Sequence, residues 1–215
     1  MYMYNRQIIL ALGLVWWLLP PAAPAQGLAP LLRGVEQRYN RAKTLELTFE
    51  QRQLAQGRRI VERGRLVLRK PGRMRWTYTQ PEGKLFVSDG SFVYFYSPLS
   101  GTAEKARLKE TDDFRAPLAF LLGRLDFQRD FGRFEWNAND RPPLIRAFPK
   151  SDKAPYTRVE FSVSAEFAIE RLVVTGVDGS VTEFRFTNER VNGPVNEAEF
   201  RFEAPPGVAV MEVEQ

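Results

Sequence analysis

The 215-residue chain has no cysteine and no histidine. Without cysteine no disulfide can staple the fold, so packing must supply the stability, and no thiol follows the N-terminal apolar run to carry a lipid. Without histidine most metal sites are excluded, and so is the usual general base near neutral pH. Asp, Glu, Ser and Lys could still do chemistry. However, the chain carries no paired-carboxylate signature, no G-x-S-x-G and no S-x-x-K, so an enzyme is not expected and no cofactor is called for. Long apolar runs are also scarce. The longest, Ile8 to Leu19, falls short of the ~20 residues that a membrane span needs.

That short run sits in a recognisable context. "MYMYNRQ" carries one arginine and no acid, and the run ends in "PPAAPAQ", with Ala-Pro-Ala closing at Ala25. A basic start, a short apolar stretch and a small-x-small site are the pattern of a cleaved secretory signal peptide over residues 1–25. Residues 26–215 are then enough for one sizeable domain. Loss of Arg6 with the leader takes the net charge from +5 to +4. Nucleic acid is not expected as the partner of an exported protein. The basic residues also alternate with apolar ones along strands, as on a solvated sheet face; attraction to anionic headgroups or to an acidic surface is the functional alternative.

What the chain has in abundance is alternation. In "RMRWTYT", Met74, Trp76 and Tyr78 alternate with Arg73, Arg75 and Thr77, which gives a strand with one apolar and one wet face. Leu45, Leu47 and Phe49 alternate in the same way with Glu46, Thr48 and Glu50. "GRLVLRKPG" and the Trp76 strand form a hairpin around Pro71-Gly72, with Leu68 expected opposite Trp76 and Leu66 opposite Tyr78. In "KLFVSDGSFVYFYSP" the turn is expected at Asp89-Gly90, pairing Phe86 with Val93. One face then holds Phe86, Val93 and Phe95; the other holds Leu85, Val87, Phe92, Tyr94 and Tyr96.

Two segments have helical spacing. Leu28, Leu31, Leu32, Val35 and Tyr39 form one stripe. Phe114, Leu118, Leu121, Leu122 and Leu125 form another, kinked at Pro117. Later runs alternate again, Asp178-Gly179 marks a further hairpin, and "NEAEFRFEAPPGVAV" holds a last short strand. The expected fold is mainly β: one antiparallel meander of about eleven strands, curled by its twist, with the helices on its apolar concave face as an N-terminal helix and a movable cover.

"FEQ" (Phe49 to Gln51), "GRLVLRKPGRMRW" (Gly64 to Trp76), "QPEGKLFVSDGSFVYFYSP" (Gln80 to Pro98) and "EFRFEAPPGVAV" (Glu199 to Val210) follow one another as in the periplasmic outer-membrane lipoprotein carrier family, LolA, which the chain resembles over nearly all of residues 26–215. The resemblance implies an incomplete barrel closed by short lid helices. Its cavity would hold the acyl chains of lipoproteins taken from an inner-membrane lipoprotein-releasing ABC transporter and passed to an outer-membrane acceptor by a monomeric carrier. Phe49, Leu66, Leu68, Met74, Trp76, Tyr78, Phe86, Val93 and Phe95 would line the cavity, with Leu118, Leu121 and Leu122 on the lid. The family has Lys-Arg-Pro at the first hairpin, where the arginine bonds the lid backbone. Here Arg69-Lys70-Pro71 puts Lys70 at the latch, without an arginine's planar fork, and Arg69 should point to the opposite face. Two other readings use the same half-barrel: a periplasmic lipid-binding sensor or regulator, whose known members carry a second domain, and a carrier of another lipid.

Overall fold

The computed structural model describes residues 27–55, 57–108, 125–137, 139–140 and 142–213. The alternating runs form twelve strands: β1 Thr44–Ala55, β2 Arg58–Arg69, β3 Arg73–Gln80, β4 Glu82–Asp89, β5 Phe92–Ser97, β6 Thr102–Arg107, β7 Phe131–Trp136, β8 Leu144–Pro149, β9 Tyr156–Val163, β10 Ile169–Gly176, β11 Val181–Val191 and β12 Val210–Glu212. Helix α1 spans Leu28–Arg41, and a single turn, α2, spans Phe127–Asp130. A 3-10 turn covers Glu197–Phe200.

All strands belong to one curled, unclosed sheet in the order β12-β6-β5-β4-β3-β2-β1-β11-β10-β9-β8-β7. It is therefore two meanders joined back to front, not one. β1 pairs with β11 at the centre, while β6 and β7, neighbours in sequence, stand toward opposite ends of the strand order. The last strand comes after the Pro-Pro-Gly segment and pairs parallel with β6, Val210 against Ala103. "EAEF" is the 3-10 turn, started by Asn196, whose side chain accepts from the Ala198 N–H. The chain reaches β12 by crossing the convex face, where Glu199 bonds Arg65 and Phe202 stacks on Tyr94 at 5.0 Å.

Both expected hairpin registers shift by two residues. Arg69 pairs with Arg73 around Lys70-Pro71-Gly72, so Leu68 faces Met74 and Leu66 faces Trp76. In the second hairpin Phe86 faces Phe95, and the turn falls on Gly90-Ser91. The Asp89 carboxylate accepts from the N–H groups of Ser91 and Phe92, so Asp89 flanks the turn instead of sitting inside it. A shift of two preserves strand parity, so every side chain stays on its expected face.

The core lies on the concave side. Leu31, Val35 and Tyr39 of α1 are buried there in one cluster with Leu47, Phe49, Leu66 and Trp76. Phe127 of α2 stacks on Phe161 at 5.3 Å and closes the β8–β9 end. Gly34 lets α1 come close to the β9–β10 turn, because a Cβ there would lie 2.3 Å from the Phe167 ring.

Candidate functional site

The site is an apolar bed on the concave face. β1 to β5 bring Phe49, Leu66, Leu68, Met74, Trp76, Tyr78, Phe86 and Val93 together, all buried, with Phe95 half-buried against them. Trp76 is its hub. Its ring lies 4.6 Å from Phe49 and 6.0 Å from Phe184, edge-on to both. Its indole N–H points at the Met74 sulfur, 2.9 Å away. Tyr78 meets Phe49 edge-on at 5.1 Å. Burial pushes the Tyr78 hydroxyl far above the ordinary phenol range, and the Glu62 carboxylate adds to this. Leu118, Leu121 and Leu122 lie outside the described residues, whereas Leu125 of the same sequence stripe is buried in the core.

The far half of the sheet completes the bed with residues that the sequence reading left unassigned. Phe184 and Phe186 of β11 stack at 6.0 Å, and Leu172 and Phe161 join the same cluster. Their signal was present in the alternation of "VTEFRFT". Nothing in that segment, however, indicated that β11 would lie against β1.

α1 crosses the bed and is fastened on both sides. Arg38 donates to Glu189 Oε1 through Nε and Nη2, at 2.8 and 2.6 Å. The Tyr39 hydroxyl donates to Glu189 Oε2 and accepts from the Ile169 N–H, both at 2.8 Å. Burial and the neighbouring Glu189 charge raise the Tyr39 hydroxyl far above its usual value. Across the bed, the Lys70 ammonium donates to the Tyr39 carbonyl at 2.8 Å, in the last turn of α1, where helix carbonyls need partners. Burial lowers the Lys70 ammonium below its ordinary value. Arg69 points the other way and pairs with Glu197 on the convex face.

The bed ends in a cavity of about 500 Å³ between the β3–β4 and β5–β6 turns, lined by Phe95 from the bed and by Glu62, Lys84, Leu99 and Glu104. Lys84 bonds Glu62 at 2.6 Å across the end of β3, and its ammonium lies 4.4 Å from the centre of the Tyr78 ring.

The sequence model of the family described as "Outer membrane lipoprotein carrier protein LolA" matches residues 40–203. An outer-membrane lipoprotein carrier protein of Chromobacterium violaceum is 28% identical over 191 residues, covering 88% of this chain and 90% of that protein. Its namesake from Nitrosomonas europaea is 27% identical over 185 residues, covering 85% and 89%. Among solved structures, an uncharacterized conserved protein from Thermus thermophilus superposes with a TM-score of 0.53 at 15% identity, covering 87% of this chain and all of that one. MucB does so with 0.52 at 12% identity, covering 82% of this chain and 62% of its own. At these identities the two structures bear on the fold alone.

Proposed function

The chain belongs to the family of outer-membrane lipoprotein carrier proteins, LolA, and from that premise we propose that it is a periplasmic carrier which holds the acyl chains of lipoproteins on the concave bed. Residues 1–25 act as its export signal. It collects cargo from an inner-membrane lipoprotein-releasing ABC complex and delivers it to an outer-membrane acceptor, as a monomer without catalytic chemistry.

The observation that carries this reading is the composition of the bed. A structural core needs only volume, and branched aliphatic side chains fill it well. Here the floor is Met74, Trp76, Tyr78, Phe86 and Phe95 on adjacent strands, under a single helix. Long or flat side chains of this kind can repack around a ligand of variable shape. Each buried CH₂ contributes roughly 0.8 kcal/mol, so several acyl chains in a rigid open pocket would scarcely leave. α1, seated on the bed by Leu31, Val35 and Tyr39, occupies the space the chains would take and so offsets part of that affinity. Lys70 is then one latch of the cover, with Leu118, Leu121 and Leu122 assigned to its remaining part.

Native mass spectrometry of the protein purified from the periplasm tests this directly. A lipid-modified peptide is the expected passenger. A free lipid alone would point to carriage of another lipid, and no passenger under any loading condition would sink the carrier reading.

A further inference from the structure

We propose that the β7–β9 wing of the sheet is a second acyl berth, plugged by the Phe127 ring in the empty protein and unplugged by α1 through Glu36 and Asn40. This rests on the carrier reading and adds to it a place for a further chain and the contacts that open it.

The ties come first. Glu36 and Asn40 lie one turn apart on α1, and both reach the segment that opens α2. The Asn40 amide donates to the Leu125 carbonyl and accepts from the Leu125 N–H, both at 2.8 Å. Glu36 accepts from the Phe127 N–H at 2.8 Å, one of the amides that a helix start leaves unpaired. So short a helix does not hold by itself, and α2 depends on these partners. Its far end is tied to the sheet instead. The Asp130 carbonyl accepts from the Lys150 N–H at 3.0 Å, and the Gln128 carbonyl accepts from Lys150 Nζ at 2.6 Å.

The plug comes second. The Phe127 ring is buried, stacks on Phe161 with the two planes 4° apart, and meets Phe131 and Phe134 at 6.1 and 6.2 Å. Rings hold it to the wing. The nest has the same aromatic character as the floor around Trp76, and Phe161 and Trp76 belong to one apolar cluster, so the two berths are continuous.

When cargo lifts α1, the Leu125–Phe127 segment has two courses. Staying behind leaves the Leu125 N–H and carbonyl and the Phe127 N–H without their partners. An acyl chain has no donor or acceptor to replace them, and an unmade hydrogen bond among buried groups is costly. Leaving with α1 keeps all three bonds and gives up only ring contacts, which an acyl chain restores to the wing. The second course is favoured, and α2 swings about its tied end at Asp130.

Because the chain has no cysteine, a single introduced thiol reports the swing. Leu125→Cys changes a buried side chain but leaves the backbone bonds to Asn40 in place. Its maleimide labelling is measured with and without saturating palmitate or a diacylated peptide, whose binding is scored separately by displacement of a fluorescent fatty acid. Labelling should speed up on the order of tenfold on loading, since a buried thiol reacts only through local opening. Val87→Cys, buried on the convex side of β4, should stay unreactive throughout. In a Glu36→Ala/Asn40→Ala background the difference between empty and loaded protein should vanish while the ligands still bind. If that background does not fold, Asn40→Ala alone, which keeps the Glu36 bond, should reduce the difference. Ligand that binds without changing the labelling of Leu125→Cys overturns the plug and leaves the carrier reading standing. A response that survives unchanged in the Glu36 and Asn40 variants overturns their part in it. Failure of both ligands to displace the fluorescent fatty acid overturns the berth and the carrier reading together.

Discussion

On β1, Leu45, Leu47 and Phe49 are buried in the core, while Glu46 and Glu50, one residue away, each stand between two arginines on the other face. The pattern repeats across the sheet. Glu183 lies between Arg171 and Arg185 opposite the Phe184 side, and Glu160 between Arg146 and Arg158 opposite Phe161. The concave face is held by apolar burial and ring packing, the convex face by exposed ion pairs. Exposed pairs contribute little each, whereas a buried aromatic contributes several kcal/mol. The convex charges thus fix which way up each strand lies more than they hold the sheet together. The concave face supplies the stability, and under the carrier reading it is also the face that must open. Stability and cargo compete for the same surface.

The sharpest way to break this contrast is Trp76→Ala. Removing the hub of the bed should cost about 3–5 kcal/mol in chemical denaturation and abolish binding of a fluorescent fatty acid. A cost under about 1 kcal/mol would mean that the concave face is not the core described here. Next comes the anchor of α1. Glu189→Ala removes the carboxylate that accepts from Arg38 Nε and Nη2 and from the Tyr39 hydroxyl and should cost about 1–3 kcal/mol, with faster amide exchange confined to α1 and its neighbours.

Lys70 tests the opposite fastening. Its ammonium is lowered by burial, so the folded state disfavours the charged form. That penalty is full below the folded value and is relieved as pH rises toward the unfolded value of 10.5. Relative to Lys70→Met, the wild-type protein should therefore gain stability on approaching pH 10.5 from below. A difference in melting temperature that stays flat over this range would remove the buried-ammonium account. Lys70→Arg offers further donors to the α1 carbonyls; it should raise the melting temperature of the empty protein and weaken acyl binding by roughly tenfold if closure gains about 1.4 kcal/mol.

The smallest effect belongs to the convex face. Glu46→Gln should cost under about 1 kcal/mol and less in high salt. The hydrogen bond from Arg65 holds the Glu46 carboxyl below its ordinary 4.5, so its contribution is present above that pH and is lost as pH falls through the folded value. A larger cost than that of Glu189→Ala would reverse the comparison.

The faces were legible in the sequence and the partners were not. Strand parity is written locally, in Met74-Trp76-Tyr78 against Arg73-Arg75-Thr77, so the bed between Phe49 and Phe95 could be read directly. Register depends on where a turn closes. Asp89 capped the turn from outside it, and both hairpins moved by two residues. The β1–β11 pairing, the parallel β12 and the α1 anchor at Glu189 depend on residues more than a hundred positions apart, and no local pattern records these. Glu62 and Lys84 went unnoticed because each looks like an ordinary charge on a strand; their meeting across β3 exists only in the folded sheet.

The pairing of β1 with β11 also sets a timetable. Leu45 must wait for Val191 before the middle of the sheet exists. Neighbouring hairpins can form as soon as they are made, but contacts so distant in sequence form slowly. Until then the N-terminal meander presents β1 as a bare edge, open to another chain. The fold therefore matures from its two wings inward and completes its centre late. Pulse-labelled hydrogen exchange during refolding should show the β2–β3 and β4–β5 amides protected before those linking β1 to β11.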